Sequence, residues 1–224
     1  MSIAVPSAAP AARVQLVDLG PLAQLRAGRL PRRLVQLAVG LVAYGVSLAM
    51  MVAGGIGLAP WDVLHSGFVE HVPMTLGQAV VLFSFVVLLA WIPLREKPGV
   101  ATVANAVVVG LSADAALAVL PTPDALAWRV ALMVGGVVLC GLATALYIGA
   151  QLGRGPRDGL MTGLHRRTGI SLRAVRTAIE VSVVLIGLVL GGVAGVGTVI
   201  YALAIGPLAQ WMLPWFLVDL APRR

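Results

Sequence analysis

Long apolar runs separated by short polar stretches dominate the chain. Six of them, at roughly 34–56, 75–94, 100–120, 128–150, 172–193 and 197–217, approach the ~20 residues a helix needs to cross ~30 Å of hydrocarbon. Two shorter segments, near 58–72 and 154–168, follow the first and fourth runs and are too short and too polar to cross unaided. The pattern predicts an all-α membrane protein with six transmembrane helices. Composition narrows this further. Of 224 residues, 59% are hydrophobic and 11% charged, whereas soluble domains carry about a quarter charged residues. Disorder, a disulfide scaffold and a large soluble enzyme domain are excluded. The single cysteine, Cys140, lies inside an apolar run and reads as a small packing residue.

The net charge of +7 arises from 16 basic residues against 9 acids. On a soluble protein this would suggest nucleic acid. Here the basic residues fall between apolar runs, so the charge speaks to topology and no nucleic-acid partner is expected. With the N-terminus inside, the inner regions hold the arginines of the first 33 residues, Arg95 and Lys97, Arg154 to Arg176, and Arg223 and Arg224; the outer regions hold only Arg129. That bias is the positive-inside signature. Both termini are expected in the cytoplasm, with Trp61 and Trp128 at the outer interface and Trp91, Trp211 and Trp215 nearer the inner one. The first thirty residues lack an apolar core and carry Pro6, Pro10 and Pro21, so they read as a retained tail and not a signal peptide.

The chain also repeats itself at a constant offset of 96 residues. Arg33 matches Arg129, Gly40 matches Gly136, and Gly45 matches Gly141. The run from Gly57 to Leu64 aligns with that from Gly153 to Leu160, and Gly99 to Val103 with Gly195 to Val199. About twenty of the 82 paired positions are identical, including Pro and Asp, which shared apolar composition would not align. The organisation read from this is a cytoplasmic tail (1–32), transmembrane repeat 1 (33–120), transmembrane repeat 2 (121–217) and a C-terminal tail (218–224). Each unit has three spans, an odd number, so the copies enter the membrane from opposite sides. Inverted-topology repeats recur among secondary transporters.

In both copies an apolar span ends in Gly, then Pro, then Asp two residues later. Gly57 and Gly153 suit a chain reversal, and Pro60 and Pro156 suit the first position of a short helix, where a missing N–H costs nothing. Asp62 and Asp158 then sit in the first turn, favoured by the helix dipole. Two readings stay open: these acids only start two interfacial or re-entrant helices, or two broken helices from opposite faces form a central pathway. A cation, a zwitterion or a proton suits the second reading better than a simple anion. Arg157 and Arg154 could pair with Asp158 or meet an anion.

Few other polar residues fall within spans. Glu180 lies one turn beyond Arg176, either as a salt bridge or as a titrating group in a wet cavity. Thr102 and Asn105, with Thr198 and Tyr201 as counterparts, either bridge helices or line a path. Asp114 and its counterpart Gln210 read as solvated ends. The stripes Gly45, Ala49, Ala53 and Gly141, Ala145, Gly149 suggest close packing where the repeats meet. His65, His71 and His165 show no metal-ligand spacing. No nucleophile–base pair, phosphate loop or nucleotide fingerprint appears, so neither an enzyme nor a cofactor is expected.

Arg29-Leu30-Pro31-Arg32-Arg33, the run Gly57 to His65, and the run Gly155 to Met161 resemble the YczE/YyaS/YitT group of bacterial membrane proteins. The resemblance runs from about residue 20 to the end and implies a bacterial cytoplasmic-membrane protein, with no catalytic residues to transfer. Two functions fit: a small secondary transporter or exporter of an unknown small molecule or ion, or a non-transporting membrane protein that supports a complex or a biosynthetic pathway. The expected surroundings are the lipid bilayer, and a six-span bundle leaves room for homo-oligomerisation.

Overall fold

A computed structural model describes residues 20–220. Among them there is no strand. The helices are α1 (Pro21–Arg26), α2 (Leu30–Gly54), α3 (Pro60–Val69), α4 (Leu76–Leu94), α5 (Val100–Leu117), α6 (Leu126–Gly149), α7 (Pro156–Thr168), α8 (Leu172–Val189) and α9 (Val196–Phe216). Five of these, α2, α4, α5, α6 and α9, are long and apolar enough to cross a membrane. The sixth expected span, α8, has 18 residues but carries Arg173, Arg176 and Glu180 in its first half, and falls short of that apolar standard.

Local chemistry sets the helix starts. Pro60 and Pro156 take the first position of α3 and α7. Thr75 caps α4: its Oγ1 accepts from Gln78 N at 3.1 Å, while Gln78 Oε1 accepts from Thr75 N at 3.0 Å, the reciprocal arrangement that satisfies two orphan donors. Thr102 and Thr198 do the equivalent for α5 and α9, their hydroxyls accepting from Gly99 N at 3.0 Å and Gly195 N at 3.2 Å.

At the centre α2 packs against α6; α5 flanks α2, α9 flanks α6, α3 lies against α8, and α7 lies against α4. Hydrogen bonds between distant segments recur 96 residues apart. Arg33 donates from Nε to Ala150 O (2.7 Å) and from Nη2 to Gln151 O (2.6 Å); Arg129 donates from Nε to Gly54 O (2.9 Å) and from Nη2 to Gly55 O (2.6 Å). Likewise Ala101 N donates to Leu152 O at 3.0 Å, and Gly197 N to Ile56 O at 2.9 Å.

The small-residue stripes correct one expectation. A Cβ on Gly45 would stand 2.5 Å from Val109 O of α5, and one on Gly141 would stand 2.9 Å from Leu208 Cβ of α9. The stripes therefore seat α5 and α9, and the contact between α2 and α6 uses other glycines. A Cβ on Gly40 would meet Tyr147 N at 2.9 Å, and one on Gly136 would meet Ser47 O at 2.9 Å. The expected tails are described only in part. Residues 1–19 and 221–224 lie outside the described residues, α1 and the first turn of α2 occupy part of 20–32, and Val218 is buried, its amide bonded to Gly149 O at 3.0 Å.

Candidate functional site

The site is built where the starts of α3 and α7 approach each other. Asp62 is almost fully buried, and its Oδ1 lies 3.0 Å from Nδ1 of His65, one turn further along α3. Nη2 of Arg157, from the other motif, reaches the same oxygen at 3.8 Å, and its guanidinium sits 5.0 Å above the ring of Trp61. Trp61 and Arg157 occupy equivalent places in the two motifs, so the copies meet through a pair of positions at which one is aromatic and the other charged. Asp158 has a different environment. It is half-buried and accepts a hydrogen bond from the Tyr147 hydroxyl. Among the described residues no cation pairs with it.

A cavity of about 210 Å³ lies between these elements. Its walls include Ala59 and Gly155, Trp61 and Arg157, Val80 and Arg176, Ser84 and Glu180, Asn105 and Tyr201, and Val109 and Ile205, each pair being 96 residues apart. Tyr44, Thr144, Tyr147, Asp158 and Gln210 complete the polar lining. Charge comes from the second copy: where the first offers Trp61, Val80 and Ser84, the second offers Arg157, Arg176 and Glu180. Arg176 Nε and Glu180 Oε1 form a salt bridge of 2.8 Å. A second cavity of about 470 Å³ shares Ile148, Asp158, Met161, Arg176 and Gln210 with the first and continues past Arg154 and Leu172.

The sequence-derived candidates divide on this geometry. Pro60, Asn105, Arg157, Asp158 and Glu180 line the central cavity. Asp62 sits behind its wall. Pro156 is buried and its carbonyl accepts from Trp91 Nε1 at 3.0 Å. Thr102 is fully buried and donates to Arg154 O at 2.7 Å, so it ties α5 to the entry of α7. Gly57 and Gly153 adopt φ of 133° and 125°, values that L side chains rarely adopt. A Cβ on Gly57 would also lie 2.7 Å from Thr198 N.

Three expectations are corrected. Asp114 is no solvated end: it accepts from Gly77 N at 2.8 Å and from the Thr75 hydroxyl at 2.5 Å, holding the start of α4. Trp61 and Trp91 are buried and do not serve as interface anchors, while Trp128, Trp211 and Trp215 are exposed. Arg157 turns to Asp62 and not to its neighbour Asp158. The spacing of the histidines does not mark His65, because it fits no metal-ligand pattern. What marks it is its place three residues after Asp62, on the same helix face. Among the described residues no cluster of three metal-ligating side chains exists.

Residues 31–214, from the first turn of α2 into the last turn of α9, match the family described as a family of unknown function, DUF6198. The chain belongs to that family. This DUF6198 protein is 39% identical over 169 residues to an uncharacterized protein of Haemophilus influenzae, covering 75% of this chain and 78% of that one. It is 30% identical over 175 residues to the uncharacterized membrane protein YczE of Bacillus subtilis, covering 78% and 81%. It is also 24% identical over 180 residues to YyaS of the same bacterium, covering 79% and 90%. No solved structure matches it. The DUF6198 chain is thus a bacterial membrane protein of the YczE/YyaS type.

Proposed function

We propose that this protein is a secondary transporter or exporter that carries a small molecule across the bacterial cytoplasmic membrane. The observation that carries the reading is the central polar cavity, walled by equivalent residues of two halves and bordered by the starts of two short helices. Irregular backbone and ionisable groups at membrane depth persist where they line such a cavity. On this reading the halves are inverted-topology repeats, both termini are cytoplasmic, and α8 is the sixth span. The paired exchange of hydrogen bonds by Arg33 and Arg129 supports the repeat. The Arg176–Glu180 bridge supports the span, since it cancels charge within α8 and turns toward the cavity. The second cavity, which continues past Arg154 on the arginine-rich side, supports reading this arrangement as inward-open. No covalent chemistry is assigned to the protein.

The test is solute-dependent stabilisation of the purified protein, followed by flux of the stabilising solute in proteoliposomes. Flux is expected in the native protein and is expected to be lost in Asp158→Asn, with little change in the melting temperature of the unliganded protein. Stable co-purification with another protein, without any solute effect or flux, would replace transport with the accessory role.

A further inference from the structure

Among the described residues, the cavity holds donors without a hydrogen-bonded acceptor on one wall and, on another, an acid with no cation at salt-bridge distance. Arg157 has five N–H donors yet makes no hydrogen bond among the described residues; its one ionic contact is the 3.8 Å approach to Asp62. The face of the Trp61 ring lies 5.0 Å from that guanidinium, and its indole N–H is buried with no partner among the described residues. Its structural counterpart in burial, Trp91, does bond, to Pro156 O. Buried donors are normally satisfied, and each orphan costs free energy until an acceptor arrives. On the α7 side, Asp158 accepts only the Tyr147 hydroxyl and pairs with no cation, with the tyrosines Tyr44 and Tyr201 in the same wall. Aromatic faces beside a carboxylate favour an ammonium group.

From this arrangement we infer that the cavity binds a small zwitterion of the amino-acid type, its carboxylate received by Arg157 and Trp61 and its ammonium by Asp158 and the tyrosines. The inference deepens the transport reading and rests on it. A simple anion would leave Asp158 facing it uncompensated. A simple cation would leave the Trp61 and Arg157 donors unbonded. The central cavity of about 210 Å³ has room for a metabolite the size of a free amino acid. Arg176 and Glu180, already paired at 2.8 Å, ask nothing of the ligand.

The experiment uses the full-length protein in nanodiscs and measures melting temperature and calorimetric affinity. The probes are the proteinogenic L-amino acids, and for alanine, leucine and phenylalanine the matched carboxylates and amines that lack one charge. At least one amino acid is expected to stabilise and bind, while its carboxylate and amine analogues bind at least about tenfold more weakly, the discrimination expected when buried polar groups lose their partners. Trp61→Phe, which keeps an aromatic ring but loses the N–H together with the fused five-membered ring, should weaken that amino acid by roughly fivefold to tenfold and lower the unliganded melting temperature through the volume it leaves empty. Benzothienylalanine at position 61, which keeps the bicyclic shape and lacks only the N–H, should weaken binding as much while the unliganded melting temperature stays nearly unchanged. Arg157→Lys should weaken it more, because a point charge replaces the bidentate fork. An amine that binds as well as its amino acid, with Trp61→Phe indifferent, would overturn the zwitterion in favour of a cation; a carboxylate that binds as well would overturn it in favour of an anion. If no amino acid binds but a sugar, nucleobase or inorganic ion stabilises the protein and is transported, the ligand class is wrong and transport survives. If nothing stabilises it and nothing is transported, both fail.

Discussion

The two equivalent arginines make the strongest quantitative prediction, because they perform the same bonding in different surroundings. Arg33 is fully buried and donates to Ala150 O, Gln151 O and Gln24 O at 2.7, 2.6 and 2.5 Å. The first two acceptors belong to the end of α6, where carbonyls lack intrahelical partners. Replacing Arg33 by Met keeps much of the stem and removes every donor. Each buried carbonyl then loses a charge-assisted bond of about 1.5–3 kcal/mol. Part of the sum is recovered because a desolvated guanidinium is no longer buried, leaving a net cost of about 3–5 kcal/mol. Arg129 makes two such bonds, to Gly54 O and Gly55 O, but is only half-buried. Water replaces it, so Arg129→Met should cost about 1 kcal/mol. At about 2–4 °C per kcal/mol for a chain of this size, Arg33→Met should melt roughly 10 °C lower than the native protein and Arg129→Met only about 3 °C lower. The assay is scanning fluorimetry in one detergent at one scan rate, because unfolding of a membrane protein is commonly irreversible. Equal losses, or a larger loss for Arg129→Met, would refute the argument that burial decides the difference.

The other predictions concern packing, topology and the two aspartates. A Cβ on Gly77 would overlap the carbonyl oxygen of Gly110, which is backbone and cannot turn aside, so Gly77→Ala should cost about 3 kcal/mol or more and appear as lost monodispersity on size exclusion. In a Cys140→Ala background, single cysteines at the exposed positions Glu70 and Thr168 should react with impermeant maleimide from the outside and the inside respectively; labelling of both from one face would end the inverted-repeat reading. Asp62→Asn should lower stability by about 2 kcal/mol, since both His65 and Arg157 lose a buried carboxylate. Asp158→Asn should stay within about 1 kcal/mol of native stability while abolishing solute-dependent stabilisation, and a reversal of that order would reverse the assigned roles.

Much of the architecture was legible because membrane helices announce themselves by length and apolarity. The starts of α3 and α7 at Pro60 and Pro156 were readable from the fixed geometry of proline. Span ends were less so: α2 begins at Leu30, four residues before the apolar run, because Arg32 and Arg33 are helical although charged. What periodicity could not supply was which faces meet. Gly45 and Gly40 differ by five residues on one helix, yet one faces α5 and the other α6. A glycine pattern marks close approach without naming its partner. The same limit hid the bonding of Asp114 to α4 and the turn of Arg157 toward Asp62, contacts across 37 and 95 positions that no local rule encodes.

The two aspartates show how one motif can hold two states. Asp62 is enclosed, bonded to His65 and approached by Arg157, whereas Asp158 faces the cavity that continues past Arg154. If the halves are interchangeable in backbone, the opposite arrangement, with Asp158 enclosed and Asp62 facing a cavity from the other side, uses the same packing with roles exchanged. The side chains do not permit an identical exchange. His65 is matched by Met161 and Trp61 by Arg157, so an enclosed Asp158 would find neither imidazole nor an arginine from the partner motif. Its compensation would have to come from the ligand's ammonium group. The proposed transport cycle would therefore be energetically lopsided: the arrangement observed is closed by the protein's own charges, and the exchanged one would depend on cargo. On the proposed transport reading, that dependence would make the empty protein favour the inward-open form, as export of a solute loaded from the cytoplasm would require.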